Sequence, residues 1–156
     1  MSMENKDFAA LFTRIARLLE VKGEDRFKTA AYERAAATIA GMETPLEHLT
    51  EKELINLPGI GKAIASKILE LVGTGKLEFL EQLEKEVPTS LMELLEIPGV
   101  GPRRASLFWK TCNVQTVDDL EAAAQSGQLR QLPGIGQNTE AQILSNIQAW
   151  RITKQH

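Results

Sequence analysis

With 156 residues, 43% of them hydrophobic, the chain can bury one core or two small ones, and no apolar run approaches the length that crosses a membrane. The single cysteine, Cys112, excludes an internal disulfide and fits a reducing compartment; the opening MSMENKDFAA lacks the apolar core of a signal peptide, so a cytoplasmic protein is expected. A formal net charge of −3 argues mildly against a high-affinity, non-specific nucleic-acid binder.

In residues 5–22, Phe8, Leu11, Phe12, Ile15, Leu18 and Leu19 recur at helical spacing, with Lys6, Arg14, Arg17 and Lys22 mostly elsewhere. This predicts an amphipathic helix ended by Gly23. The alanine-rich residues 27–40 predict a second helix closed by Gly41, with Lys28 and Tyr32 four apart on one face. Thr50-Glu51-Lys52-Glu53 has the form of a capping box and starts a short helix through Leu57. A helix over 62 to about 72 is expected to break at Gly73-Thr74-Gly75. Leu77, Leu80, Leu83 and Val87 mark the next helix, and Thr89 or Ser90 caps a further one. Pro102 suits the first turn of a helix that buries Ala105, Leu107 or Phe108, and Trp109. Cys112, at the end of that apolar face, is expected as buried filler. Thr116 to Asp119 caps a helix through Ala124 that Gly127 stops. Ala141, Ile143, Leu144, Ile147 and Trp150 mark the last one. No stretch alternates strand-forming residues at period two, so the expected fold class is all-α, in two small helical modules.

Between these helices one short pattern occurs three times: Leu57-Pro58-Gly59-Ile60-Gly61, Ile97-Pro98-Gly99-Val100-Gly101 and Leu132-Pro133-Gly134-Ile135-Gly136. Proline cannot continue the preceding helix. The first glycine admits a positive φ, and the second lets another molecule come close to the backbone. The branched residue between them can point inward and pin the turn. What results is a helix-hairpin-helix whose unpaired N–H groups face outward at a helix N-terminus, where geometry and dipole favour anions. Pro58, Pro98 and Pro133 are 40 and then 35 residues apart, so the copies are separate modules and not a uniform solenoid. Basic residues gather locally. Arg103, Arg104 and Lys110 follow the second hairpin, and Lys62, Lys67 and Lys76 follow the first. Acids concentrate in 43–53 and 78–96. His48 and His156 are isolated and form no metal-ligand cluster.

Four strings together resemble the N-terminal part of bacterial family X DNA polymerases, relatives of eukaryotic DNA polymerase beta: KGEDRFKTAAYERAAATI, LPGIGKAIASKILELVGTGKLEFLEQL, IPGVGPRRASLFW and LPGIGQNTEAQIL. The resemblance covers nearly the whole chain in order. It implies a polymerase-beta-like N-terminal domain with the first hairpin over 1–80, and a second helical subdomain with two hairpins over 81–156. The family's first domain binds the 5′ phosphate of a DNA gap, and in some members removes a 5′-deoxyribose phosphate by β-elimination through a lysine Schiff base. No palm aspartates are present; Asp118-Asp119 sits in a helix-capping context. No polymerase activity is therefore expected of this chain alone. Nucleoid association in a bacterial cytoplasm is implied, and a role in base excision repair.

Carried residue by residue, the resemblance puts Lys67 at the Schiff-base position, Lys28 and Tyr32 in the 5′-phosphate pocket, and Phe27 where an aromatic-type residue stacks on the template. A lysine nucleophile must be partly neutral near pH 7, by burial or neighbouring cations. The departure from the family is Ala63, one turn before Lys67, where polymerase beta has a second lysine. Lys62 is adjacent in sequence but points about 100° away around the helix. Gly59, Gly61, Lys62, Gly99, Gly101, Arg103, Arg104, Gly134 and Gly136 are the further phosphate contacts expected. Family hairpins also hold a monovalent cation, sodium or potassium, on backbone carbonyls. Here these would be the carbonyls of Ile55, Leu57 and Ile60, and of Leu95, Ile97 and Val100. No other cofactor is expected.

Alternatives stand beside each residue. Lys67 is a Schiff-base nucleophile, a phosphate contact or a solvated helix lysine; Tyr32 is a pocket residue or an ordinary half-buried tyrosine. The third hairpin, followed by Gln137, Asn138, Thr139 and Glu140, contacts DNA or only packs the last helix. Trp109 and Trp150 are read as core and not as base-stacking residues. Three functions follow: sequence-independent binding of gapped or nicked DNA through phosphates; deoxyribose-phosphate lyase activity at Lys67; or a protein-interaction module with vestigial hairpins. The first is preferred, because the features address phosphates and none addresses base edges.

Overall fold

The computed structural model describes residues 3–155, so the expectation for His156 lies outside the described residues. Among those described, the chain is all-α. Its helices are α1 (Asn5–Lys22), α2 (Arg26–Ala40), α3 (Glu51–Ile55), α4 (Lys62–Thr74), α5 (Glu78–Glu86), α6 (Leu91–Leu94), α7 (Pro102–Cys112), α8 (Val117–Gln125) and α9 (Gln137–Lys154). Short 3-10 turns cover Leu46–His48 and Leu129–Gln131. The chain forms two compact units, Met1–Glu86 and Val87–His156.

In the first unit α1 packs chiefly on α2 and also on α5. Phe8, Phe12, Ile15, Leu18 and Leu19 are buried on α1, opposite Ala35, Ala36 and Ile39 of α2, and the two short alanine side chains let the helices approach. The helices α1, α2 and α3 start on side-chain caps. Glu4 and Asp7 close a capping box at α1, the Lys28 N–H donates to Asp25 Oδ1 at α2 (3.0 Å), and Thr50 and Glu53 close a second box at α3. Asn5 Nδ2 donates to the Thr44 carbonyl (2.8 Å) and its Oδ1 accepts from the Leu46 N–H (3.0 Å), which fastens the 3-10 turn to the start of α1. α5 is held to α1 by Arg14–Glu84 (2.9 Å) and Lys22–Glu86 (2.6 Å).

The second unit builds its core from Leu91, Leu94, Ile97, Phe108, Leu120, Leu129, Ile143 and Ile147. α9 packs on α8 and on the Leu129–Gln131 turn. Arg151 spans from α9 to Asp118 (2.6 Å) and Glu121 (3.4 Å) of α8. Asp119 Oδ2 instead accepts from the Gln115 N–H (3.1 Å), so Asp118 and Asp119 point to different partners.

Several local expectations are corrected. α4 does not break at Gly73. It runs through Thr74, whose Oγ1 donates to the Glu70 carbonyl (2.8 Å), and ends at Gly75 with φ 77°. Ser90 holds the N-cap position of α6 but makes no side-chain capping bond. On α7, Phe108 is buried and Leu107 is not, and Ser106 is buried in place of Trp109. Trp109, Trp150 and Cys112 are half-buried, and Ala141 is exposed. Trp150 lies on the rim, where the Lys154 ammonium sits 5.7 Å from its ring. Neither 3-10 turn was legible, since each is a single turn without helical periodicity.

The ion pairs set an expected pH response. The Lys22 ammonium holds the Glu86 carboxyl below the ordinary carboxylate range, and Glu86 in turn raises the Lys22 ammonium. The backbone N–H and hydroxyl of Thr50 lower Glu53, and Lys154 lowers Glu96. A lowered carboxyl stabilises the fold above its unfolded-state value and loses that contribution as pH falls through its folded value. A raised ammonium contributes below its unfolded-state value and loses it as pH rises through its folded value. The urea midpoint is therefore expected to stay level between about pH 5 and pH 9 and to fall below about pH 4. A midpoint that rises on acidification would contradict these pairs. All are exposed, so each contribution is small.

Candidate nucleic-acid interface

The three hairpins share one backbone geometry. Gly59, Gly99 and Gly134 take φ of 77°, 90° and 80°. The N–H of the branched residue closes each turn: Ile60 to the Leu57 carbonyl (3.2 Å), Val100 to Ile97 (3.0 Å) and Ile135 to Leu132 (3.1 Å). Ile60, Val100 and Ile135 are all buried, as the pattern predicts. Gly61, Gly101 and Gly136 then serve as helix N-caps in extended conformation, with φ of −92°, −89° and −95°. Any residue adopts that conformation, and a Cβ built on these three would meet nothing within 4 Å. The chain's own packing thus does not require glycine there, although a methyl would shield the N–H groups that follow.

In the first unit the expected residues come together. Lys28, Tyr32, Gly59, Gly61, Lys62 and Lys67 line a single cavity of about 840 Å³, along with Ile55, Leu57 and Ile60. Its floor is aromatic. Phe12, Tyr32 and Phe79 stack in series, with ring centroids 6.1 Å and 5.9 Å apart. The Lys67 Nζ lies 4.8 Å from the Phe79 centroid and 6.0 Å from that of Tyr32, a placement that suits an ammonium over π-faces. Burial raises the Tyr32 phenol above its ordinary value, so it stays neutral and can donate a hydrogen bond. Lys28 stands more open, with Glu24 3.7 Å from its Nζ. Phe27, in the first turn of α2, is 87% exposed.

Two residues of this cavity escaped the sequence reading. Arg34 lines it and backs the first hairpin: a Cβ on Gly59 would lie 3.3 Å from the Arg34 Cβ. Phe79 forms half of the seat under Lys67. Neither is tied to the hairpin by any sequence spacing. Both arrive through docking, of the hairpin on α2 and of α5 on α1.

In the second unit the residues divide. Gly99 and Arg104 line a hollow of about 300 Å³ with Asn138, Thr139, Gln142, Ile143 and Asn146 of α9. Arg104 Nη1 donates to the Gly99 carbonyl (2.8 Å), so part of its fork braces its own hairpin. Gly101 and Arg103 are exposed at the start of α7. At the third hairpin, Gly134 and Gly136 are exposed, while the acid that follows them is removed from the surface. Glu140 is 5% exposed, pairs with Arg130 Nε (3.1 Å) and accepts from the Arg130 N–H (3.0 Å). Among the described residues, no group of His, Cys, Asp and Glu could hold a metal, and no helix is long and apolar enough to cross a membrane.

Residues 3–77 match the helix-hairpin-helix domain family, and residues 91–149 match the SAM-like helix-hairpin-helix tandem family. The chain is 34% identical over 145 residues to the DNA polymerase/3′-5′ exonuclease PolX of Bacillus subtilis, a match covering 93% of this chain and 25% of that protein. It is 33% identical over 118 residues to DNA polymerase lambda of Arabidopsis thaliana, covering 75% of this chain and 22% of that protein. The rat DNA polymerase lambda matches at 25% identity over 111 residues. This chain belongs with the N-terminal region of the family X DNA polymerases. It spans about a quarter of the length of these curated relatives, or less.

Proposed function

We propose that the chain binds DNA by its phosphates and not by its bases, and that the cavity of the first unit receives the 5′ phosphate at a gap or nick. The observation that carries this reading is the convergence of Lys28, Lys62 and Lys67 with Gly59 and Gly61 on one cavity. A terminal phosphate there meets ammonium groups, free N–H groups and the positive end of α4 together. Exposed Phe27 supplies a face on which a base adjoining the gap stacks. In the second unit Gly99, Gly101, Arg103 and Arg104 address the duplex backbone. Monovalent cations on the carbonyls of Ile55, Leu57 and Ile60, and of Leu95, Ile97 and Val100, belong to the same proposal. Binding of this kind is strongly salt-dependent.

The surroundings of Lys67 favour a phosphate contact over lyase chemistry. Its ammonium rests on two ring faces, and Ala63 places no cation on the preceding turn. The glycine N-caps supply the direct test of phosphate contact. Gly61→Ala and Gly101→Ala should fold as the parent does, since neither added methyl meets an atom within 4 Å. Each should nevertheless weaken binding to duplex DNA, by about threefold to tenfold for one obstructed hydrogen-bonding contact. Fluorescence anisotropy with urea melts in parallel separates the two quantities. Unchanged affinity in both variants would sink the phosphate role of the hairpins.

A further inference from the structure

We propose that Thr38 and Asn146 are positioning residues, which turn the Pro–Gly peptides of the first two hairpins so that the glycine N–H faces outward. This rests on the reading that those N–H groups meet phosphates. Thr38 Oγ1, on α2, donates to the Pro58 carbonyl at 2.7 Å. Asn146 Nδ2, on α9, donates to the Pro98 carbonyl at 2.8 Å. These residues lie in different units, are of different types, and stand on opposite sides of their hairpins in sequence: Thr38 precedes the first and Asn146 follows the second. Both nonetheless reach the same atom of the motif.

The consequence follows from peptide geometry. No peptide bond among the described residues is cis, and in a trans peptide the C=O and N–H point in opposite directions. Fixing the proline carbonyl against the supporting helix therefore aims the N–H of Gly59 or Gly99 away from it. Neither N–H has a partner among the described residues. The second clamp is itself braced. Gln142 Nε2 donates to Asn146 Oδ1 at 3.0 Å, so the Asn146 amide group is oriented with its NH₂ toward Pro98. Arg104 holds the next carbonyl, that of Gly99. At the third hairpin no side chain among the described residues donates to the Pro133 carbonyl, so its Pro–Gly peptide lacks this clamp. The clamp thus separates two hairpins set to donate from a third whose Glu140–Arg130 contact fixes the helix behind it and not the turn.

The test uses the full chain, a 5′-phosphorylated gapped duplex, and amide NMR of the hairpin glycines. Thr38→Val removes the hydroxyl and keeps the shape, and Thr38→Ser restores the donor. Asn146→Ala examines the second clamp. With the urea midpoint as a check on folding, Thr38→Val is expected to lose about threefold to tenfold in affinity, and Thr38→Ser to recover most of it. In Thr38→Val the Gly59 amide shift on adding DNA should shrink, while that of Gly99 persists; Asn146→Ala should show the converse. Parent-like affinity in Thr38→Val, or an intact Gly59 response, overturns the proposal and leaves phosphate binding standing. A parent chain that fails to bind at low salt overturns both.

Discussion

Lys67→Ala is expected to erase most of the chain's preference for a gap that carries a 5′ phosphate, lowering that affinity by about tenfold to a hundredfold. Lys67 is half-buried, with its ammonium over the faces of Phe79 and Tyr32, and so already placed before a ligand arrives. A charge-assisted hydrogen bond from such a group to a phosphate loses little entropy on forming. Lys28→Ala should cost less. The Lys28 side chain is 63% exposed and shares its charge with Glu24, which a phosphate must displace. Affinity for the same gap without its phosphate should change by no more than about twofold in either variant, because the remaining backbone contacts are untouched. Equal losses on both substrates would mean that Lys67 acts as a generic backbone cation. No loss on either would remove it from the interface.

Phe12→Ala is expected to destabilise the first unit by about 3–5 kcal/mol, a large part of what a small domain possesses. Phe12 is fully buried, and its ring is the innermost of the Phe12–Tyr32–Phe79 stack. The floor of the cavity is therefore continuous with the core. Losing Phe12 removes the support under Tyr32 as well as its own burial. The reporters divide conveniently. The one tyrosine, Tyr32, lies in the first unit, and both tryptophans, Trp109 and Trp150, lie in the second. Tyrosine near-UV signal should be lost at a lower urea concentration in the variant, while the tryptophan transition holds its place. A loss below about 1 kcal/mol would show that the stack is not a structural support.

The hairpins were legible in the sequence because their geometry is local. Pro58-Gly59-Ile60-Gly61 fixes a helix stop, a positive φ, an inward anchor and an open N-cap within four residues, and the same holds at 98–101 and 133–136. The all-α class and the capping box at Thr50–Glu53 were legible for the same reason. Gly73 misled because a single glycine near a helix end does not stop it: α4 continues one residue past it, to Thr74, whose hydroxyl bonds the Glu70 carbonyl of the last turn. Trp109 and Trp150 misled because an apolar helical face does not say where it meets the rim. Arg34, Thr38, Phe79 and Asn146 were invisible because each reaches its hairpin or cavity across the fold. Thr38 lies 20 residues from Pro58, and Asn146 lies 48 from Pro98. The hairpin residues repeat in sequence; the residues that clamp them do not.

The most direct test is the affinity of the unaltered chain for a one-nucleotide gapped duplex, with and without its 5′ phosphate, measured across a salt series. Tighter binding to the phosphorylated gap, falling steeply as salt rises, is the predicted result. Equal binding to both gaps, or no binding at low salt, would contradict a 5′-phosphate site in the first unit.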